Sequence, residues 1–459
     1  MKKSIIIILL MICSVYKSVY AEEGLSIDGP SSLIQFRNAV NSGNDYRGKT
    51  IRLSTDIDLT GIEWTAIGTE TSPFCGVFDG NGHTITGLHG TADVKYFGLF
   101  GYNAGTLKNL TVSTTTDGIV VNRSETHGFG GIITAYNAGN IENCKTNGVI
   151  TMNNSRSYIC AGGVCGYNSG SITASESTAT VSAATNTSWE YLYADAYAGG
   201  LCGLNEGVIS ASNARTTVSS DARFATAAAG AAVGDNRGTV SNTSVSGTVD
   251  ACIHFPISSS YAYAGGLCGS NTGEIGNSDA AAVSVRSWLY ADSDIKRYIH
   301  CDVGGVAGYN YGNIYACSAS GTIMSAIVNN SCAKSYAGGA VGYNCGSLKD
   351  TDTNVNIKNV TERGTPDYAG GVVGYNEEGI IQRCNAQNVI TVYDEENRIK
   401  RIGGICGQND GGYVSFSSSK ARLTGENNKN IFAGGMAAEN SGVFENCYYI
   451  GTSVKAGTV

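Results

Sequence analysis

One nine-residue motif, Gly162-Gly163-Val164-Cys165-Gly166-Tyr167-Asn168-Ser169-Gly170, recurs along this 459-residue chain in recognisable variants. Its asparagine falls at Asn103, Asn137, Asn168, Asn205, Asn236, Asn271, Asn310, Asn344, Asn376, Asn409 and Asn440, eleven copies separated by 31 to 39 residues. So short a unit cannot bury its apolar side alone; it must stack on the next, which sets equivalent residues about 4.8 Å apart in rows. The residue after the glycine pair reads Leu99, Val164, Leu201, Ala232, Leu267, Val306, Ala340, Val372, Ile405 and Met436, apolar throughout and therefore core. The asparagine never varies, as expected if each side-chain amide bonds to the amide of the next copy. The glycines are expected where the turns need backbone angles closed to other residues.

Downstream of each copy stands a large apolar residue (Leu107, Ile141, Ile172, Ile209, Val240, Ile275, Ile314, Leu348, Ile381, Val414, Phe444), and further on a β-rich stretch such as Gly148-Val149-Ile150-Thr151. The expectation is an all-β chain: a parallel β-helix or β-solenoid of about eleven coils, three short strands in each, divided by Gly/Asn/Ser turns. Residues 96–459 form the repeat solenoid, and 22–95 a cap with lead-in strands. Within that cap, Leu33, Phe36 and Val40 follow Ser31-Ser32 and precede Gly43, the spacing of a short amphipathic helix that covers the first coil. An uncovered end is an open sheet edge. No comparable cap follows the eleventh copy, so either the last strands protect themselves or a partner docks at the C-terminal end.

Lys2 and Lys3 precede the apolar run from Ile5 to Cys13, and Val19-Tyr20-Ala21 offers small residues for cleavage, so 1–21 read as a signal peptide and the protein as secreted or at the cell surface. Lipidation of Cys13 is the competing reading, disfavoured by the bulky Ile12 before it. No later stretch is apolar for long enough to make a transmembrane helix. With 15% charged residues and a net charge of −8 the chain lacks the basic footprint of a nucleic-acid binder. Of its fifteen cysteines Cys13 lies in the signal, and several of the other fourteen share columns with Val, Ala, Ser or Thr in other copies, so most are expected as free, buried thiols and not as a disulfide framework.

Gly200-Leu201-Cys202-Gly203, Gly266-Leu267-Cys268-Gly269 and their sister copies resemble the GLUG motif of bacterial surface and secreted proteins. Asp56-Ile57-Asp58-Leu59, Trp64-Thr65-Ala66-Ile67-Gly68 and the stretch from Phe78 to Ile85 are similar to the segment that often leads into such repeats. The resemblance implies a β-helix-like solenoid outside the cell, with adhesion or surface structure as its role. Ala135 and Ala438 in place of the last glycine, Gly230-Ala231 in place of the pair, and the extra residue at Glu377-Glu378 depart from the pattern.

Residue patterns for catalysis are missing, and neither a metal nor a cofactor is expected. GLUG repeats also accompany certain IgA-cleaving metallopeptidases, but His83, His89, His127, His254 and His300 never form their HExxH arrangement. Gly48-Lys49-Thr50 lacks the upstream glycine of a phosphate-binding loop, and no GxSxG elbow occurs. Asp56 and Asp58 alternate with Ile57 and Leu59 and should lie on the wet face of a strand, Glu377-Glu378 in a turn, and Asp394-Glu395-Glu396 in an exposed loop, so none reads as a glycosidase pair. Asp79-Gly80-Asn81-Gly82 resembles part of a calcium loop but lacks the distal glutamate, and a tight hairpin turn accounts for it.

Aromatic residues carry the functional expectation. Tyr96, Phe129, Tyr197, Tyr263, Tyr336, Tyr368 and Phe432 stand two residues before the first glycine and should stack as a ladder that stabilises the solenoid. Tyr102, Tyr136, Tyr167, Tyr309, Tyr343 and Tyr375 share a column with Asp235, Ser270, Gln408 and Glu439, which suggests an exposed row. Where the spacing between copies is longest, further rings gather: Trp189, Tyr191 and Tyr193; Phe255 and Tyr261, with His254; and Trp288, Tyr290 and Tyr298. Insertions of a solenoid map to one edge or face, and rings with polar tips suit binding, so these residues are the expected contact surface for a glycan or a host protein. A surface spacer without a ligand, and a carbohydrate-active enzyme, are the rival readings.

Overall fold

At the glycine pair the chain turns a corner where the sequence reads as one continuous strand. In the copy around Asn168, Ile159–Gly162 and Cys165–Asn168 are separate strands, followed by Ser171–Thr173, Glu176–Ser177 and Thr180–Thr185. Each coil therefore has four faces where three strands were expected. Tight packing at the corner is the reason: a Cβ on Gly162 would stand 1.8 Å from the Cys165 carbonyl oxygen, and one on Gly163 2.2 Å from that of Gly200 in the next coil. Neither glycine has a positive φ, so close approach demands glycine here, and not the left-handed backbone expected from the sequence. Left-handed positions fall instead after the third face, on Asn109, Asn143, Ala174, Ala211, Asn242, Asn277, Ala316, Asp350, Arg383, Phe416 and Asn446, all with φ between 49° and 53°.

The structure is a computed structural model describing residues 25–124, 126–186, 194–254, 260–290, 299–328, 333–361, 367–393, 399–426 and 430–451. It is an all-β parallel solenoid. Numbered in chain order within a coil, the first and second sheets hold eleven strands each and the third fourteen, while the fourth runs from Ile57–Asp58 to Tyr448–Tyr449. All the named strand pairs are parallel, with Asn137 opposite Asn168, Cys165 opposite Cys202 and Ile141 opposite Ile172, and the register shifts only in the fourth sheet, between Ile85 and Gly90, Val245 and Gly247, and Ala280 and Val283. The lead-in joins the same stack: Leu25–Ile27, Thr50–Leu53 and Val77–Asp79 precede Thr106–Lys108 in the third sheet.

The single helix among the described residues, Pro30–Asn41, buries Leu33, Phe36 and Val40 against the first coils, with the Phe36 ring 5.7 Å from both Phe74 and Phe78. Proline at its first position costs no hydrogen bond, and the Ser32 hydroxyl accepts from the Gly29 amide at 3.2 Å. At the other end Val443, Tyr448 and Ile450 are exposed.

Inside, the glycine-following row and the apolar row of the third sheet are buried except at the last coil. The asparagines form an unbroken ladder. Each Nδ2 donates to the Oδ1 of the next coil at 2.7–2.8 Å through all ten steps from Asn103 to Asn440. Each also donates to a glycine carbonyl at its own corner, as Asn168 does to Gly170 at 3.3 Å. Asn103 through Asn409 are wholly buried, so the ladder is a polar spine with its partners built in.

Three sequence expectations meet the structure at the corners. Asp79-Gly80-Asn81-Gly82 is not a hairpin but the corner between the third and fourth sheets: Asn81 has φ 53°, and Asp79 Oδ1 accepts from the Asn81 amide at 3.0 Å and Asn109 Nδ2 at 3.1 Å. Neighbouring strands here are parallel, which a hairpin forbids. Asp56 and Asp58 are exposed, and Glu378 sits in a left-handed turn. The thirteen described cysteines are free thiols, nine of them buried. The proposed signal peptide, Cys13 and the acidic run 394–396 lie outside the described residues. No described helix is long and apolar enough to cross a membrane.

Candidate functional site

In the middle coils the fourth sheet lengthens to strands of ten to twelve residues: Asn213–Ala222, Ser244–His254, Asp279–Tyr290, Ser318–Val328 and Asp352–Thr361. Alternation decides what each shows to solvent. In Asp279–Tyr290, Val285, Ser287 and Leu289 are buried, while Arg286 and Trp288 are half-buried and Tyr290 is exposed. Trp288 and Tyr290, expected in a loop insertion, thus belong to the sheet itself and share its outer face.

Register then sets their neighbours. Cys252 pairs with Trp288 and His254 with Tyr290, while Asp221 pairs with Cys252 from the other side. The His254 ring lies 6.4 Å from Tyr290. His254 Nε2 is 3.3 Å from Cys252 Sγ and 3.2 Å from Asp221 Oδ2. Hydrogen bonding to Asp221 and then to Cys252 raises the imidazole pKa to about 10. Beside this group the Arg286 guanidinium grips Asp250 with two bonds of 2.5 and 2.6 Å and lies 5.5 Å from the Trp288 ring centre. Aromatic, acidic, basic, thiol and imidazole groups thus meet on one outer patch.

Of the other expected contact residues, Tyr261 is in the first sheet, stacked on Tyr263 at 5.5 Å and edge-on to His300 at 5.5 Å, away from the fourth-sheet patch. Trp189, Tyr191, Tyr193, Phe255 and Tyr298 lie outside the described residues. The structure therefore brings Trp288 and Tyr290 together and places Tyr261 elsewhere. Sequence reasoning missed Asp221, Cys252, Asp250 and Arg286, whose only signal is the register of the fourth-sheet strands written one above another.

Tyr261 belongs to a second outer feature, the angle between the first and second sheets. Here the ring column and the motif tyrosine column meet, with Tyr102 stacked on Tyr136 at 4.5 Å, Tyr136 on Tyr167 at 4.6 Å, and Phe129 edge-on to Tyr167 at 5.5 Å. The expected ladder is not continuous. Cys160, Ala228, Asp302 and Arg401 interrupt it, because a ring is not required where a neighbour can fill the space. Nor is the tyrosine column fully exposed: the rings that flank it leave Asp235 only 5% exposed, held by Arg237 Nε at 2.8 Å. Burial keeps the Asp235 carboxyl above its ordinary pKa even so. Asp302 is wholly buried between the rows of Tyr263 and Tyr336, neither of its oxygens has a hydrogen-bond partner, and burial pushes its pKa well up.

Two hollows also open on the described surface. One of about 450 Å³ on the fourth sheet is lined by Ser318, Asp352, Asn385, Gln387 and Lys420, among others. Within it Asn385 Nδ2 donates to Asp352 Oδ1 at 2.9 Å and the Ser418 hydroxyl donates to Asn385 Oδ1 at 2.7 Å. The second, about 270 Å³, lies by the helix between Asn41, Trp64 and Tyr96.

The family model described as the GLUG motif matches residues 300–324, the copy that holds Asn310. The chain carries the GLUG motif. Ten further copies of the nine-residue pattern lie in register with that one along the asparagine ladder, so the matched segment is one turn of the solenoid. A solved structure from Bacteroides ovatus, described as a "putative immunoglobulin A1 protease", is similar over 94% of this chain and 85% of its own, at 17% identity and a TM-score of 0.33. No curated protein matches the sequence.

Proposed function

We propose that this is an exported GLUG-repeat protein that binds a glycan or a protein of a host surface, without catalysis, through the outer face of its fourth sheet. The observation that supports this is the placement of Trp288 beside Tyr290 on a long strand, next to the Asp250–Arg286 pair and the His254 group. Rings fixed on a sheet lose little freedom when a ligand stacks on them, and their polar neighbours supply hydrogen bonds at the rim. A solenoid is suited to such a task because its shape is set by stacking and its side chains on one face are free to vary.

The test is a screen of the full chain on a glycan array and on immobilised mucin and matrix proteins, repeated with Trp288→Ala combined with Tyr290→Ala. Binding that the double variant loses roughly tenfold or more, with an unchanged circular dichroism spectrum, supports the reading. Binding that the variant keeps removes this patch as the site, and no binding on any surface favours a spacer. Sugar released from a polysaccharide panel contradicts the non-catalytic part of the proposal.

A further inference from the structure

The group Asp221, Cys252 and His254 has a geometry that the binding proposal does not use. Cys252 and His254 are two residues apart on one strand and so point to the same side, and Asp221 faces Cys252 from the coil before. The three donor atoms lie within 4.8 Å of one another and are half-exposed. Both short contacts involve the same nitrogen: Asp221 Oδ2 and Cys252 Sγ approach His254 Nε2 at 3.2 and 3.3 Å. A nucleophilic triad needs its carboxylate on the opposite ring nitrogen from the thiol, so this is not the arrangement of a cysteine hydrolase.

Convergence on one point is instead what a metal needs. Zinc bonds of about 2.0–2.1 Å to nitrogen, 2.0–2.2 Å to oxygen and 2.3 Å to sulfur, at tetrahedral angles, separate the ligand atoms by about 3.3–3.6 Å. The two separations to His254 Nε2, 3.2 and 3.3 Å, are close to those edges, and the Asp221 and Cys252 ligand atoms lie within 4.8 Å of each other, so side-chain rotation alone can bring the three around one ion. A thiolate with an imidazole suits zinc and its neighbours in the first transition row and disfavours calcium and magnesium, which take oxygen. Both coils that supply ligands are fixed by the sheet, and the strand Ser244–His254 is paired along its length with Asn213–Ala222. That rigidity is what a preformed site provides.

We propose that Asp221, Cys252 and His254 form a zinc site on the outer face of the fourth sheet, with the fourth position open to water. It differs from the sequence expectation of no metal because its ligands come from two coils, 31 and 33 residues apart, and only register unites them. The site stands independently of glycan or protein binding: it can exist on a protein that binds neither.

The experiment is zinc titration of the full chain under thiol-protecting conditions against a chromogenic chelator, with cobalt substituted in parallel. The expected result is one high-affinity ion per chain and a cobalt spectrum with a thiolate-to-metal charge-transfer band. Cys252→Ser, His254→Gln and Asp221→Asn should each weaken binding by at least the roughly 10- to 100-fold that loss of even an outer partner of a metal ligand costs. Cys345→Ser, a half-buried thiol elsewhere, should change nothing. Absence of stoichiometric binding overturns the proposal. So does binding that Cys252→Ser abolishes but His254→Gln and Asp221→Asn leave intact, since that is a lone thiol acting without a site. Circular dichroism of each variant establishes that a loss is not unfolding.

Discussion

The buried asparagine row and the outer ring row run side by side through the same coils, yet one is uniform and the other mixed. Every position from Asn103 to Asn440 in the first is the same residue, and every step is a hydrogen bond of 2.7–2.8 Å. In the second, rings alternate with Cys160, Ala228, Asp302 and Arg401. The difference follows from chemistry. A carboxamide is both donor and acceptor, so a stack of them satisfies itself only if no member is missing. A ring row is held by area and dispersion, which a neighbour can supply. Uniformity is therefore imposed where residues must complete one another, and variation is tolerated where each coil can solve its own packing.

The sharpest way to break this contrast is to remove one rung. Asn205→Leu strips the acceptor from Asn168, the donor from Asn236 and the side-chain bond from the Gly207 carbonyl. Urea denaturation should show a loss of about 3–5 kcal/mol, since each buried group left unsatisfied costs about 1–3 kcal/mol. A loss under about 1 kcal/mol would mean that the spine is ornamental.

Next in size is acid sensitivity on the outer side. His300 stacks on Tyr343 at 5.7 Å, and burial, with the charge of Lys334, lowers its pKa to about 4. Because the folded value lies below the unfolded one, the unfolded chain takes up the proton first as pH falls. Stability should thus decline from about pH 6.5 to about pH 4 by up to roughly 3 kcal/mol and level off below. His300→Phe should remove that part of the pH profile, measured as melting temperature against pH.

Asp302 pulls the other way. Its carboxyl is raised by burial, so the folded state holds a proton that the unfolded state releases, and it destabilises at neutral pH. Asp302→Asn should raise stability at pH 7, because the amide stays neutral without taking up a proton that the unfolded carboxylate has released, and the gain should vanish toward pH 3. Equal stability of the two proteins at pH 7 would show that Asp302 has found a partner.

How much of this was legible in the sequence follows the same division. The asparagine, glycine-following and third-sheet rows could be written down directly, because a repeated requirement leaves a repeated residue, and the capping helix was marked by Leu33, Phe36 and Val40. The fourth face was not, because the glycine pair reads as part of a strand and its corner arises from contact with the next coil at Gly200. Nor was the group of Asp221, Cys252 and His254. Its members occur once each, in the stretch where coil lengths vary most, and only the pairing of Asp221 with Cys252 unites them. Trp288 and Tyr290 were singled out for their size, but their place on a strand, and not in a loop, required the register with Cys252 and His254.

The smallest effect concerns the left-handed corner after the third sheet. Ala174 and Ala211 sit at φ 50°, a conformation that costs a residue with a Cβ about 1–2 kcal/mol. Changing either to Gly should stabilise by about 0.5 kcal/mol, once the greater freedom of glycine in the unfolded chain is subtracted. Destabilisation by thermal melting would show that the alanine methyl packs more than the strain costs.

Stacking in register is tested most directly by distance along the axis. Thr106, Glu274 and Val443 occupy one row of the third sheet, Glu274 five coils and Val443 ten coils from Thr106. Spin labels carried on encoded keto amino acids at these positions should give pulsed electron–electron distances near 24 Å for Thr106 to Glu274 and near 48 Å for Thr106 to Val443, at about 4.8 Å per coil. Distances that fail to double between the two pairs would contradict a continuous in-register stack.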